Sequence, residues 1–348
     1  MKIGFFVNDM AREEEHYATT ILANECSRRG HTVCYVTPSD FSFLPDDRLN
    51  LRARFAPKKK FPSYMAFFKA IQDRKIEMRN IDAGELDVLM LRNDPSADAV
   101  DRPWAESIGI LFGRIAAEQG VLVLNDPDGL SLATNKLYFQ SFPEELRAPT
   151  LISKDVEAIK KFAKDQGEKI VLKPLSGSGG QSVFVLGAEK SSNLNQMIEA
   201  ISRDGYVIAQ GYVPAAKDGD IRFFLINGLP LMHKGKYAAF RRTSASGDVR
   251  SNIHAGGTAS KAEIGETELK VAEMVRPKLV RDGMFLVGLD IVGDKVLEIN
   301  VFSPGGLRNS SKFEGVRFST AIVDSIENKL TIRKRYPGRF SNRELAVL

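Results

Sequence analysis

Two acidic residues and an asparagine in the C-terminal third have types and spacing that suit metal binding. Asp290 lies in one apolar, β-branched run, and Glu298 and Asn300 lie in a second. The turn signal Gly293-Asp294 separates the runs and predicts a β-hairpin. Because side chains alternate along a strand, Glu298 and Asn300 share one face, which Asp290 reaches if the strands pair. Three hard oxygen ligands would suit Mg²⁺ bound with substrate phosphates; the alternative is an ordinary hairpin with a solvated acidic face.

A lysine followed by a glycine-rich turn is a second candidate for phosphate chemistry. Lys173 ends a predicted strand, and the turn 177–180 follows it. Glycines let backbone N–H groups approach phosphate oxygens, and a lysine supplies a point charge. The pattern is not a Walker loop, since the lysine precedes the glycines. A structural turn between strands would explain the same residues, and Lys136, near a helix start, would by itself be a surface lysine.

Three further segments place polar groups at strand ends or in loops. Asp218, Asp220 and Arg222 stand at a strand entrance, where they could meet a ribose hydroxyl and a phosphate or serve as ordinary turn residues. The strand that contains Gln210 could offer its backbone to an adenine ring or be a plain core strand. The loop 241–252 has arginines at both ends, so it could close over an anionic substrate or be a solvated loop.

Composition excludes several classes of protein. The chain has 348 residues, 43% hydrophobic and 27% charged, which fits a globular enzyme of about two domains. No apolar run approaches the ~18 residues of a membrane helix, and the start lacks a signal peptide's cleavage region. Cys26 and Cys34 lack metal-ligand spacing, so we expect reduced structural thiols in a cytoplasmic protein. The net charge of +5 is dispersed, which favours a basic cleft for anionic small molecules over a nucleic-acid site.

Hydrophobic patterning predicts an α/β unit followed by a mixed α+β unit. A β-α-β opening over residues 2–36 implies a parallel sheet, whereas the second half contains antiparallel pairs. Residues 45–80 are charged and irregular, and we expect a long loop or mobile excursion there. We predict an N-terminal α/β domain over residues 1–126 and a mixed domain over 127–330, with lobes of about 127–213 and 214–330. Residues 331–348 would form a basic tail.

The order and spacing of these pieces resemble the ATP-grasp superfamily of carboxylate–amine ligases, and more closely the bacterial glutathione synthetase family. The resemblance runs from the first strand to about Leu330. Its most specific segments are Leu-Lys-Pro-Leu at 172–175, Ala-Lys-Asp-Gly-Asp at 216–220, His-Ala-Gly-Gly at 254–257, Val-Gly-Leu-Asp-Ile-Val-Gly-Asp at 287–294 and Asn-Val-Phe-Ser-Pro at 300–304. It implies an ATP-grasp fold, in which an N-terminal α/β domain that binds substrate precedes two α+β lobes that grip ATP.

The resemblance also implies which residues bind the nucleotide and the metal. Those that would hold ATP are Lys136, Lys173, Gly177, Gly179, Gly180, Gln210, Tyr212, Val213, Asp218 and Asp220. Those that would ligate two Mg²⁺ ions, with Mn²⁺ as a substitute, are Asp290, Glu298 and Asn300.

Further roles implied by the resemblance concern catalysis and the substrates. Those that would stabilise or orient the reacting acyl group are Arg222, Arg250 and Asn252. Those that would contact a dipeptide-like acid or an amino acid are Arg92, Arg242, Ser303, Gly305, Gly306 and Arg308. A carboxylate is a poor electrophile, so ATP would first convert it into an acyl phosphate, which an amine then attacks. This intermediate is labile in water, which would give the loop 243–249 a reason to close.

Two departures from the family pattern leave the identity of the substrates undecided. Asn93 stands where the family usually has a basic residue, and the run 305–308 differs from part of the family. Three functions therefore remain: glutathione synthesis from γ-glutamylcysteine and glycine, another ATP-grasp peptide ligation, and regulation by an ATP-binding protein without catalysis. Retention of the three metal ligands and both lysines argues against the last. We expect a homo-oligomer that binds small molecules and neither nucleic acid nor membrane.

Overall fold

The computed structural model of the chain describes residues 1–167, 169–176, 183–186, 193–203, 205–243 and 257–348. Within these ranges, three sheets with helices packed against them contain most of the strands. None of the described helices is both long and apolar enough to span a membrane.

The first sheet has seven strands and a parallel centre. Its elements are β1 (Lys2–Phe6), α1 (Ala18–Arg28), β2 (Thr32–Val36), β3 (Phe41–Phe43), β4 (Leu49–Phe55), α2 (Tyr64–Ile71), β5 (Met78–Asp82), β6 (Val88–Leu91), α3 (Ile108–Glu118) and β7 (Leu122–Leu124). Strands β2, β1, β6 and β7 are parallel neighbours, as the opening pattern predicts. Phe6 of β1 pairs with Leu91 of β6, so the loops after these two strands leave the same edge of the sheet.

The prediction of a loop over residues 45–80 is wrong. This region contributes β4, α2 and β5, and β4 runs antiparallel to β2, β3 and β5. Burial alternates along β4, where Leu49, Leu51, Ala53 and Phe55 are buried. This period of two is a strand signal that the charged residues between the apolar ones conceal.

The second sheet is four-stranded and antiparallel, in the order β10-β9-β11-β8. Its elements, with the helix that precedes them, are α4 (Pro127–Leu132), β8 (Thr150–Ser153), α5 (Val156–Asp165), β9 (Ile170–Pro174), β10 (Phe184–Leu186), α6 (Leu194–Ser202) and β11 (Val207–Gly211). Ile159 of α5 and Ile198 of α6 pack on the apolar face of β9 and β11. Together these helices and strands form a separate small hydrophobic core.

The third sheet has six strands, with β12 next to β18 and β18 next to β19. The elements in this part of the chain are β12 (Asp220–Ile226), β13 (Leu229–Pro230), β14 (Met232–His233), β15 (Lys236–Tyr237), β16 (Ala239–Thr243), β17 (Thr258–Ser260), α7 (Glu266–Arg281), β18 (Leu286–Val292) and β19 (Lys295–Asn300). Its strand pairs are antiparallel, which agrees with the mixed character predicted for the second half.

The C-terminal residues are helical and packed. After α8 (Leu307–Glu314), α9 (Phe318–Arg335) contacts α1, and α10 (Asn342–Val347) lies against β7. Asn342 accepts a hydrogen bond from the Val123 N–H (2.8 Å) and donates one to the Val123 carbonyl (3.0 Å). Residues 331–348 were predicted as a basic tail. Their basic cluster lies in the last turn of α9, and Leu345 and Ala346 of α10 are buried.

Candidate active site

The predicted hairpin is confirmed and brings three oxygen-bearing side chains to one face. Strands β18 and β19 are antiparallel, with Asp290 opposite Glu298 and Gly288 opposite Asn300. Residues that face each other across a strand pair share a face, as do residues two apart along one strand. Asp290, Glu298 and Asn300 therefore project together, and all three line a cleft of about 1140 Å³.

Asp290 is held by two arginines from other strands of the same sheet. Arg222 on β12 donates from Nε to Oδ1 (2.5 Å) and from Nη2 to Oδ2 (3.1 Å), while Nη2 of Arg242 on β16 lies 2.8 Å from Oδ2. Arg242 also forms a two-bond ion pair with Asp220. Burial raises the pKa of the Asp290 carboxyl, but the two guanidinium groups outweigh it and lower the pKa to about 2. Asp290 is thus ionised at every physiological pH.

The donor chemistry of this face fits a divalent cation. Carboxylate and amide oxygens are ligands that Mg²⁺ accepts, and Mg²⁺ usually takes only one or two carboxylates and completes its shell with substrate phosphates and water. Among the described residues, no group of three or more His, Cys, Asp or Glu side chains is placed to hold a metal. The face offers two carboxylates and one amide, which is within the number of protein ligands that Mg²⁺ takes when it is shared with phosphates.

Two lysines enter the cleft from the second sheet and its flank. Lys173 on β9 donates from Nζ to Oε1 of Gln210 (3.0 Å), and the Lys136 N–H donates to the Leu175 carbonyl (3.0 Å). Burial lowers the pKa of Lys173 to about 8, with Glu298 opposing and Lys136 reinforcing the change. Burial also lowers the pKa of Lys136, again against the charge of Glu298. Two ammonium groups and one carboxylate thus meet across the cleft, an arrangement suited to anionic phosphates.

The residues predicted to frame an adenine ring lie at the end of β11. Gln210, Tyr212 and Val213 line the cleft, together with apolar side chains of Val171 and Val185. The N–H groups of Gly211 and Tyr212 donate to carbonyls of Pro149 (2.8 Å) and Lys169 (3.2 Å). These two N–H groups are therefore already used within the protein, and the apolar wall is the feature that suits a flat ring.

The two aspartates predicted near the ribose have different positions. Asp220 begins β12, lines the cleft and pairs with Arg242. Asp218 lies in the 3-10 helix Pro214–Asp218, is not among the cleft-lining residues, and its carbonyl accepts from Arg241 (3.3 Å). The structure thus brings Asp220 to the cleft but not Asp218.

Most of the residues predicted to contact substrates follow β19 and line the cleft. They are Ser303, Gly305, Gly306 and Arg308, and Arg308 pairs with Glu15 of the first domain (2.9 Å). A further predicted residue, Arg92, also lines the cleft and contacts the same run, since its guanidinium donates to the carbonyls of Phe302 (3.5 Å) and Pro304 (3.3 Å).

One glycine in this run is required by the backbone. Gly306 has φ = +96° and immediately precedes α8, and a β-carbon there would collide with the Phe240 ring. This requirement accounts for Gly306 without any ligand.

Five predicted site residues lie outside the described residues: Gly177, Gly179, Gly180, Arg250 and Asn252. Their roles stay predictions.

The cleft also includes residues that the sequence analysis does not select, such as Asn8 and Glu13 in the loop after β1. No motif marks these residues; the only available signal is their position after the first strand of a parallel sheet, where ligands bind in open α/β folds.

Comparison with known proteins agrees with the resemblance read from the sequence. Residues 1–131 match the model of the prokaryotic glutathione synthetase N-terminal domain, and residues 135–315 match that of its ATP-grasp domain. Glutathione synthetase of Pseudomonas syringae pv. tomato is 34% identical over 311 residues, 88% of this chain and 90% of that protein. Glutathione synthetase of Vibrio cholerae is 32% identical over 336 residues, 95% of this chain and 98% of that protein.

Solved structures agree on the fold. D-cycloserine synthetase DcsG superposes with a TM-score of 0.62 at 15% identity, over 93% of this chain and 99% of that one. The ATP-grasp ligase PsnB, complexed with minimal precursor, Mg and ADP, gives 0.56 at 17% identity, over 94% and 98%. These likenesses confirm the predicted ATP-grasp fold, and the matches to both domain models extend the agreement to sequence. The chain belongs to the prokaryotic glutathione synthetase family.

Proposed function

We propose that this chain, an ATP-dependent carboxylate–amine ligase, condenses γ-glutamylcysteine with glycine and converts ATP to ADP and phosphate. The observation that carries the proposal is the meeting of Lys136 and Lys173 with the Asp290–Glu298–Asn300 face in one cleft, because only a strongly anionic ligand with metal-binding oxygens satisfies both groups. A nucleoside triphosphate has this chemistry.

The proposed roles of the cleft residues follow from their charges. Lys136 and Lys173 hold the phosphates, and the apolar wall beside Tyr212 receives the base. Asp290, Glu298 and Asn300 would hold two Mg²⁺ ions, which would supply neutralisation of phosphate charge and polarisation of the transferred group. A carboxylate oxygen of the acid substrate attacks the γ-phosphorus of ATP, the bond from this phosphorus to the β,γ-bridging oxygen breaks, and ADP leaves. The acyl phosphate that results has an electrophilic carbonyl carbon.

Arg222 is the side chain best placed to stabilise the next step. Its guanidinium bridges Asp290 and the Gly305 carbonyl (3.1 Å), so it lies between the metal-binding face and the run 303–306. An amine that attacks the acyl phosphate generates negative charge on the former carbonyl oxygen, and a fixed guanidinium stabilises such charge without reorganisation. The bond from the carbonyl carbon to the phosphate oxygen then breaks, the nitrogen loses a proton, and phosphate leaves behind the peptide bond.

The identity of the substrates is supported by the two glutathione synthetases named above, since this chain matches them over 90% and 98% of their length. The experiment measures phosphate release from MgATP by the purified protein with γ-glutamylcysteine and glycine together, and with each omitted. Release that requires both, with a tripeptide product by mass spectrometry, supports the proposal. Release with other acids or amines but not with this pair would replace it with another peptide ligation.

A further inference from the structure

One face of the second sheet carries a row of three polar side chains. Thr150 on β8 pairs with Gln210 on β11, and Lys173 on β9 lies diagonally across from Gln210, since it pairs with Ile208. Residues that pair across neighbouring strands share a face of the sheet, as do residues two apart along one strand. Gln210 and Lys173 line the cleft, whereas Thr150 is not among its lining residues. Thr150 therefore lies beside two residues with predicted roles in ATP binding without itself reaching the cleft.

Hydrogen bonds connect these three side chains. The Thr150 hydroxyl donates to the Ala148 carbonyl (2.8 Å) and accepts from Nε2 of Gln210 (3.3 Å). Oε1 of Gln210 accepts from Nζ of Lys173 (3.0 Å). The connection thus runs from an ammonium group in the cleft, through an amide, to a hydroxyl outside the cleft.

Both ends of this connection require the same orientation of the Gln210 amide. A hydroxyl has one hydrogen, and that of Thr150 is donated to the Ala148 carbonyl, so Thr150 can only accept from the amide. An ammonium has donors only, so the group that faces Lys173 must be the amide oxygen. A valine at position 150 would remove the acceptor of Nε2, and the amide could then turn its NH₂ group toward Lys173.

The amide oxygen matters because Lys173 is partly removed from water. Burial disfavours the charged form of Lys173, as its lowered pKa shows. A cation in such surroundings needs hydrogen-bond acceptors to keep its charge and its position. The Gln210 oxygen is a neutral acceptor, so it holds the ammonium without cancelling the charge that would attract an anion.

We propose that Thr150 is a positioning residue for ATP: its hydroxyl fixes the Gln210 amide, and this amide holds the Lys173 ammonium where the phosphates bind. The inference rests on the proposed function, from which it takes the role of Lys173. Because Thr150 is not a cleft-lining residue, its effect on the nucleotide passes through Gln210.

The test measures the dissociation constant of MgATP by calorimetry, without an acid or an amine substrate. Thr150→Val keeps the shape of the side chain and removes the hydroxyl, so binding should weaken about three- to tenfold, the effect of one neutral hydrogen bond. The matched variant Thr150→Ser keeps the hydroxyl and removes the methyl group, so it should bind within about twofold of wild type. A role in packing alone predicts the opposite order, because valine fills the site and suits a strand.

Two double-mutant cycles test the path of the effect. Thr150→Val should have no further effect on MgATP affinity once Gln210→Met or Lys173→Met has been introduced, because each of these changes already breaks the connection. Gln210→Met and Lys173→Met should each weaken binding by at least as much as Thr150→Val.

The outcomes separate the inference from the proposed function. Wild-type affinity in Thr150→Val, an equal or greater loss in Thr150→Ser, or additive losses in either cycle overturns the inference while the proposed function stands. Wild-type affinity in Gln210→Met overturns it as well, whether or not Thr150→Val folds. Wild-type affinity in Lys173→Met overturns the proposed role of Lys173, and the inference with it.

Discussion

Asp290 and Glu298 face each other directly across β18 and β19, and the register of the two strands shifts immediately beyond them, between Asp290 and Ile291. Ile291 pairs with Val296, so Leu297 is an extra residue on β19. Such bulges increase local twist and re-aim side chains, and they are frequent next to active sites. Here the bulge interrupts the pairing directly beside Asp290 and Glu298, the two residues that we propose as metal ligands. The extra residue, Leu297, itself lines the cleft.

The metal assignment predicts a selective loss of turnover when Glu298 becomes Gln. The change keeps the shape of the side chain but removes an anionic oxygen ligand, so MgATP-dependent phosphate release should fall about 100-fold or more, since metal stabilisation of the transition state is worth several kcal/mol. The matched control is Asp294→Asn, in the exposed turn of the same hairpin, which should keep full activity. Turnover equal to wild type in Glu298→Gln would remove Glu298 from the metal site.

The arginine pair predicts that Asp290 stabilises the ligand-free fold. Asp290→Ala would leave Arg222 and Arg242 buried with one carboxylate fewer, and breaking a buried ion pair from one side costs about 3–5 kcal/mol. We expect this loss in the free energy of unfolding, measured in urea by circular dichroism. Glu298→Ala, which breaks no comparable ion pair among the described residues, should lose much less. Equal stability of the two variants would contradict the structural role of Asp290.

The contrast between Gly305 and Gly306 predicts unequal effects of the same substitution. Gly306→Ala forces a β-carbon into the Phe240 ring at a positive φ, so it should destabilise the protein by about 2 kcal/mol or more. Gly305→Ala meets open space at an ordinary φ and should leave the melting temperature unchanged. Thermal unfolding of both variants decides the matter, and a stable Gly306→Ala would show that this backbone adjusts.

Local patterns made part of this structure predictable. The metal-binding hairpin follows from two β-branched runs around Gly293-Asp294, since turn chemistry and alternation act over a few residues. Strand β4 has an equally local period of two. Its polar face includes Arg52 and Arg54, and the segment was predicted as a loop because these charged residues separate the apolar ones.

Contacts between segments that are distant in sequence could not be predicted from such local patterns. The placement of Arg222 and Arg242 on Asp290 depends on β12 lying between β16 and β18 in one register, and a shift of one residue would turn these side chains to the other face. Glu13 is a comparable case. Its burial depends on how the loop after β1 packs, and neither its residue type nor its neighbours indicate this.

The lowered pKa of Lys173 predicts that ATP affinity depends on pH. In the free protein, burial holds this pKa at about 8, and phosphate charge in the complex must raise it. Binding therefore has full strength below pH 8 and weakens as pH rises above the free-protein pKa, by up to about tenfold per unit. Calorimetric titration of MgATP between pH 7 and 9.5 should show this break in wild type. Lys173→Met should bind MgATP more weakly and lose the break. Lys154→Met, at an exposed lysine, should reproduce the wild-type profile. An unchanged affinity across the pH range in wild type would show that the Lys173 ammonium does not hold the phosphates.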